Sequence, residues 1–342
     1  MSIVDRLEVK RDPLNRSKIC RELVRKNLSN PAEQFLDRTG KRIRSSVVDL
    51  AFEISGGSGQ APPCLGEAIE WLHAGSLVID DIQDESPLRR GHPSLHMQIG
   101  VPLALNAGNW MYFQALEKLF DDSIGRSMQN RLLQQIVRTA LRCHRGQSLD
   151  LGSQVNRIDP SCIQNVVAET SRLKTGSLVS MAATFGAVAA GANLRLRESL
   201  SRFGMHVGIA LQMRNDLEEL RSMTYESSEF KTIRMEDLRN ARITWPWAWA
   251  YSVCSPSDFA ALIKQLTESR EDPRVLTLLA NQLLSQSETK GEATIQRKLN
   301  RHFRELEVHD LNPQALAEMK KVLARISSSG RDERKDIDAR IQ

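Results

Sequence analysis

The sequence predicts an all-α fold, read as one bundle-like body of ten or more helices, and three observations carry that reading. Apolar residues recur at helical spacing rather than in strict alternation. Proline is absent from Leu103 to Asp159 and again from Ser161 to Trp245, and those spans are rich in Ala, Leu, Met, Gln and Arg, which favour helix. Nowhere do strand-like alternations come in series with hairpin turns.

Taken in chain order, turn-forming clusters break the helical pattern at Ser55–Pro63, Ser86–Pro93, Ile158–Pro160 and Ser255–Ser257. The uncharged stretch from Thr175 to Leu194 is long enough to span a bilayer. Ser177, Ser180, Thr184, Gly186, Gly191 and Asn193 dilute it, however, and a buried, tightly packed helix is expected instead. The indoles of Trp245, Trp247 and Trp249 read as core. A helical region follows Asp272, and the polar segment 328–342 reads as a mobile tail beyond a core of about residues 20–325.

Composition narrows the function classes. The 342 residues are 41% hydrophobic and 26% charged, a globular balance. The five cysteines (Cys20, Cys64, Cys143, Cys162, Cys254) lack metal-ligand or disulfide spacing, which suits a reducing compartment. No secretory pattern opens the chain, so a cytoplasmic location is expected, with no transmembrane segment. The net charge of +5 comes without an aromatic-interleaved basic stripe, which argues against nucleic acid and is compatible with a small anionic substrate.

The chemistry-bearing residues form two acidic constellations with cations around them. The first, Asp80-Asp81-Ile82-Gln83-Asp84, is entered through the apolar run Leu77-Val78-Ile79. On a helix Asp80 and Asp84 share a face and Asp81 lies on its shoulder. Carboxylates crowded behind an apolar run repel one another and lose hydration unless a cation neutralises them. Magnesium, which takes one or two carboxylates together with substrate phosphates, suits that donor set. The second runs from Gln212 through Asn215, Asp216 and Glu219. Two such patches facing one another across a bundle could hold several magnesium ions around one diphosphate. Arg89-Arg90, Lys41 and Arg44, Lys174, Lys231 and Arg242 supply cations whose chemistry fits phosphate oxygens. His92 and His96 read as ordinary polar groups.

These elements resemble the trans-type isoprenyl (polyprenyl) diphosphate synthases. The resemblance runs from about Arg38 to Pro246, with weaker helical continuation to about Arg325. It rests on Gly40-Lys41-Arg42-Ile43-Arg44, Asp80-Asp81-Ile82-Gln83-Asp84, Arg89-Arg90-Gly91, Gly146-Gln147…Asp150, Lys174-Thr175 and the Gln212–Glu219 region, in the family's order. It implies an isoprenoid synthase-type helical bundle with a central active-site cavity, a homodimer, and a single polyprenyl synthetase domain over residues 1–342. The implied reaction condenses an allylic diphosphate with the homoallylic isopentenyl diphosphate, using three magnesium ions per site. Asp80, Asp84, Asn215, Asp216 and Glu219 would then bind metal, with Asp81 in support. Arg89, Lys174, Lys231 and Arg242 would hold the allylic diphosphate, and Lys41, Arg44, His73 and Arg90 the isopentenyl one. Thr175 and Gln212 would lie near the reacting carbons.

The chain departs from the family pattern at several places. Asn215 stands where an aspartate is usual, removing one charge, and Glu219 carries the last charge on a longer arm. Thr39, Ser45, Ile79 and Asn109 replace glycine, proline, histidine and aspartate, and Ala241-Arg242 stands for glycine-lysine. A class I cyclase on the same scaffold is one alternative, but the third position of its triad is Met223. A non-catalytic partner subunit is another, although the first aspartate motif is intact. For product length, Gly75, five residues before Asp80, is expected to leave the tunnel open. Trp71 and Leu72, one turn deeper, are then candidate floors beside Ser76, giving a product of about twenty carbons or somewhat longer.

Overall fold

The computed structural model describes residues 18–38, 42–225, 235–307, 309 and 311–328. Lys41 and Lys231, with Thr39 and Gly40, lie outside the described residues, as does the segment 329–342.

The described residues are helical apart from loops and one two-stranded ribbon. In order the helices are α1 (Lys18–Val24), α2 (Asn30–Asp37), α3 (Ile43–Ile54), α4 (Pro63–Gln83), α5 (Leu95–Ile99), α6 (Val101–Glu117), α7 (Arg126–Gly152) and α8 (Ile163–Ser171). There follow α9 (Ser177–Ala189), α10 (Leu194–Tyr225), α11 (Glu236–Arg239), α12 (Trp245–Val253), α13 (Pro256–Ser269), α14 (Pro273–Arg304) and α15 (Pro313–Ser328). Single π-turns sit at Arg25–Ser29 and Arg172–Gly176.

Local chemistry starts several of these helices. Ser255, Asp272 and Asn312 each precede a proline at the first helical position, and their side-chain oxygens accept from Asp258, Arg274 and Gln314 N–H groups at 3.2, 2.8 and 2.9 Å. Asp159 caps the short 3-10 turn at Pro160 in the same way. A polar cap followed by proline satisfies one orphan donor and presets φ for the next residue. Three of the four proline breaks in the sequence, at Pro63, Pro160 and Pro256, are therefore helical starts.

The chain forms two compact units. The first comprises residues up to Arg42 and Glu70–Glu117, with α1, α2, the greater part of α4, the ribbon, α5 and α6. The strands β1 (Leu88–Arg89) and β2 (His92–Pro93) pair antiparallel, Arg89 opposite His92. Arg90 and Gly91 make the turn with φ of 54° and 79°, the paired positive values of a type I′ hairpin. Two-residue strands leave no alternation for the sequence to display, so this ribbon lay hidden in the break at Ser86–Pro93.

The second unit comprises Ile43–Ile69 and everything from Lys118. Its centre is α9, in which eleven of thirteen residues are buried, packed against α10 and α3. Backbones meet there: a Cβ on Gly186 would lie 2.1 Å from the Val48 carbonyl oxygen. Small residues that admit a neighbouring helix, rather than lipid, explain the uncharged stretch, and no described helix is long and apolar enough to cross a membrane. Trp245, Trp247 and Trp249 are all buried, as expected.

Long α10 is tied to α14 by ionic contacts. Buried Arg214 grips Glu292 through two bonds of 2.6 and 2.7 Å and donates to the Ile326 carbonyl of α15 at 3.2 Å. Arg221 reaches Glu218, Glu288 and Glu292 at 2.5, 2.7 and 2.6 Å. Removing one partner would strand a buried charge, at a cost of about 3–5 kcal/mol. Nearby, the His206 and His302 rings stack with centroids 3.4 Å apart.

Burial, with His302, Lys298 and Arg301 nearby, pushes His206 down to about 4, against a smaller opposing effect of Glu305. The folded protein then binds fewer protons than the unfolded chain between pH 4 and 6.5, and stability falls as pH drops through that window. Lowering pH from 7 to 5 should cost about 2 kcal/mol through this group. Thermal melts should show the loss, and His206→Phe, which keeps a stacked ring, should flatten that part of the pH profile.

Candidate active site

In the first unit α4 presents the aspartates at its C-terminal end. The helix closes with Asp84 N–H on the Asp80 carbonyl at 2.9 Å, Glu85 on Ile82 at 3.4 Å and Ser86 on Asp81 at 2.9 Å. With Glu85 at φ 53°, these are the bonds of a Schellman ending. It places Asp84 one turn beyond Asp80, both half-exposed, as the sequence spacing predicts.

Asp81 goes inward. It is fully buried, and Arg89 donates to its Oδ1 through Nε at 2.6 Å and through a second guanidinium nitrogen. Oδ2 is buried with no hydrogen-bond partner among the described residues. Burial raises this carboxyl to about 6, with the Arg89 charge opposing. His73 is buried on the same helix, and its carbonyl accepts from Ser76 Oγ at 2.7 Å. Arg90, on the hairpin turn, donates to the Arg38 carbonyl at 3.4 Å. A shallow indentation open to solvent is lined here by Phe35, Arg38, Leu77, Arg89, Arg90 and His92.

The product-length residues also lie in this unit. Trp71 is 6% exposed and meets Trp110 of α6 edge to face at 5.6 Å, and Leu72 is buried beside it. At Gly75 a Cβ would meet the Gly108 carbonyl oxygen at 2.8 Å and Met111 Cβ at 3.0 Å, so α4 and α6 cross in contact at this glycine.

In the second unit the π-turn Arg172–Gly176 carries Lys174 and Thr175. Lys174 Nζ binds Asp150 Oδ2 at 2.5 Å, and Arg242, buried, donates to the Asp150 carbonyl at 2.7 Å. Thr175 Oγ1 donates to Gln212 Oε1 at 2.6 Å, and Gln212 Nε2 donates to Asp216 Oδ1 at 2.8 Å. Asp216 Oδ2 accepts the Trp245 main-chain N–H at 2.9 Å. Asn215 is exposed on the same helix, and Arg44 is half-buried on α3.

Burial raises the Asp216 carboxyl to about 7, against the hydrogen bond from the Trp245 main chain, with Asp237 and Asp150 adding to the rise. Glu219 is pushed up as well, by burial first and then by Asp237 and Asp216. Sequence reasoning missed Asp237 as part of this group; it belongs to another helix, and only the fold brings it to Glu219. Asp150, in the sequence a member of the Gly146-Gln147…Asp150 motif, takes Lys174 and Arg242 as its two cationic partners.

The donor sets fit a hard divalent cation. Among the described residues no three acidic, imidazole or thiol groups form a ready-made cage. Magnesium does not need one, since it keeps water and takes phosphate oxygens beside one or two carboxylates. The unmet Asp81 oxygen and the raised carboxyls of Asp216 and Glu219 are deficits that added positive charge relieves.

A carboxyl near 7 is about half protonated at neutral pH, and a cation beside it expels that proton. Adding magnesium and inorganic diphosphate at pH 7 in weak buffer should therefore release protons beyond a protein-free control. A pH-indicator dye measures this, and Asp216→Asn should reduce the excess.

Comparison with known proteins agrees with these arrangements. Residues 25–283 match the polyprenyl synthetase family model. A geranylgeranyl diphosphate synthase from Sulfolobus acidocaldarius is 30% identical over 263 residues, 76% of this chain and 73% of that protein. A geranylgeranyl pyrophosphate synthase from Rhodocybe pseudopiperita is 33% identical over 183 residues, 53% of this chain; the match spans only 50% of that relative's length. In fold, the crystal structure of a polyprenyl synthase from Caulobacter crescentus, complexed with calcium and isoprenyl diphosphate, superposes with a TM-score of 0.75. It is 22% identical, with 96% of this chain and 98% of that one covered. The chain is all-α with the isoprenoid synthase fold, and it belongs to the polyprenyl synthetase family of trans-type isoprenyl diphosphate synthases, a family of prenyl transferases.

Proposed function

We propose that this chain is a magnesium-dependent trans-prenyltransferase that joins an allylic diphosphate to isopentenyl diphosphate and releases diphosphate. The observation that carries the reading is the π-turn: it presents Lys174 and Thr175 side by side, one paired with Asp150 and the other bonded to Gln212 and through it to Asp216. A cation for phosphate and a polar pair for the reacting carbons are thus held on one wall. The family match, residues 25–283, takes in the greater part of both units, which supports reading the chain as a single polyprenyl synthetase domain. A homodimer is carried over from the family resemblance.

By resemblance, Asp80 and Asp84, and likewise Asp216, Glu219 and the amide oxygen of Asn215, would hold magnesium, three ions in all. When bound, magnesium supplies positive charge that draws electron density from the bond to the leaving diphosphate. Arg89, Lys174 and Arg242 hold the diphosphate oxygens as negative charge grows on them, and Lys231 is assigned the same task by resemblance. Lys41, Arg44, His73 and Arg90 hold isopentenyl diphosphate so that its double bond meets the allylic carbon. Such fixing can contribute about 7–11 kcal/mol toward the barrier. Thr175 and Gln212 present oxygen dipoles beside the electron-poor carbon. The proton lost at the end goes to an oxygen of the released diphosphate. Trp71, Leu72, Gly75 and Ser76 bound the growing chain, and a product of about twenty carbons is supported by the geranylgeranyl synthases among its relatives. The third cyclase position, Met223, is 1% exposed in the core and offers no metal oxygen.

The test is direct product analysis with purified protein, magnesium, isopentenyl diphosphate and each allylic diphosphate in turn. Linear alcohols about twenty carbons long, appearing only after phosphatase treatment, are expected. Hydrocarbons formed without isopentenyl diphosphate would refute the reading. Lys174→Ala should lower kcat about 100- to 1,000-fold, the usual loss when one preorganised charge-stabilising donor is removed.

A further inference from the structure

The hydrogen bonds around Asp216 continue into a closed ring. Trp245 carries two donors. Its main-chain N–H binds Asp216 Oδ2 on α10 at 2.9 Å, and its indole Nε1–H binds Ser171 Oγ, the last residue of α8, also at 2.9 Å. Asp216 returns through Gln212 to Thr175, and the four peptide bonds from Ser171 to Thr175 complete the circuit. Trp245 is 6% exposed and Ser171 1%, so both bonds are shielded from water.

The ring encloses a segment that needs support. A π-turn holds one residue more than α geometry allows, and such turns persist where tertiary contacts favour them. Here the turn starts at Arg172, directly after Ser171. The indole ring is rigid, and it is itself fixed by stacking on Trp249 at a centroid distance of 5.9 Å. Trp249 packs so closely on α14 that a Cβ at Gly291 would lie 2.6 Å from its ring. One residue, through its main chain and its indole, thus ties the second acidic motif to the start of the turn bearing Lys174 and Thr175.

We propose that Trp245 is a positioning residue for prenyl transfer: its two N–H groups lock the Asp216 motif to the π-turn, so that Lys174 and Thr175 are held in register with Gln212 and Asp216. The kinetic part rests on the prenyltransferase reading above; the structural part does not. Trp247, two residues on in the same helix, is the natural control. It is fully buried and packs edge to face on Phe259, and its indole nitrogen has no hydrogen-bond partner among the described residues.

Trp245→Phe keeps the main-chain donor and most of the bulk and removes the indole N–H alone. Ser171→Ala removes the acceptor. Each should lower kcat about 10- to 100-fold, the scale of a small misplacement at a reacting centre, with KM for isopentenyl diphosphate little changed. The double variant should be no worse than either single one. Trp247→Phe should lower the melting temperature and leave kcat as it was. Amide hydrogen exchange at residues 172–176 should quicken in Trp245→Phe and Ser171→Ala and not in Trp247→Phe. Additive losses, or a kcat of Trp245→Phe matching that of Trp247→Phe, would overturn the proposal. A wild-type protein without elongation activity would count against the function alone. The exchange pattern would still decide whether the ring holds the turn, with unaltered exchange at 172–176 sinking it.

Discussion

The carboxylates that the fold keeps out of water are the constraint on which the rest depends. Asp81 is fully buried with only one of its oxygens bonded, and Asp216 and Glu219 sit with Asp237 where burial pushes both of them toward the neutral form. A protein of marginal stability does not accumulate such groups without a use for them. Their neighbours show what limits the cost. Arg89 neutralises Asp81, Lys174 pairs with Asp150, and Gln212 with the Trp245 main chain satisfies Asp216. The cations in these pairs, Arg89 and Lys174, are also those proposed to hold the diphosphate; on that proposal the protein without substrate keeps them on its own acids.

That arrangement separates two kinds of charge on the long helix α10. Arg214, Glu218 and Arg221 interleave with the acidic motif in sequence, yet Glu218 pairs with the two arginines, and these bond to Glu288 and Glu292 of α14 and serve packing. Asp216 and Glu219 bond or couple elsewhere and keep raised carboxyls. One helix therefore carries a structural ionic face, which holds α14 and α15, and a second face whose carboxyls are raised by burial. The departure at Asn215 fits here, since an exposed amide adds an oxygen without adding to the crowded negative charge.

Much of this was legible in the chain. The all-α fold followed from helical spacing and long proline-free spans, and the buried α9 from small residues diluting an uncharged run. The first motif was legible because its residues are contiguous and the Schellman ending keeps Asp80 and Asp84 one turn apart. Asp237 was not, because its link to Glu219 is made by tertiary approach and leaves no mark in local spacing. The close approach of α6 at Gly75 was not legible for a related reason: the sequence shows the missing side chain but not the neighbour it admits. The π-turn at Lys174, too, has no sequence signature beyond the lysine-threonine pair.

The most direct test of the claim that these acids await a cation is a crystal structure with manganese, an anomalous scatterer with magnesium-like ligand preferences, and inorganic diphosphate. The account predicts anomalous peaks on Asp80 and Asp84 and on Asp216 and Glu219, with Lys174 turned from Asp150 toward a phosphate oxygen. Diphosphate bound by arginine and lysine alone, with no peak at either acidic set, would contradict it.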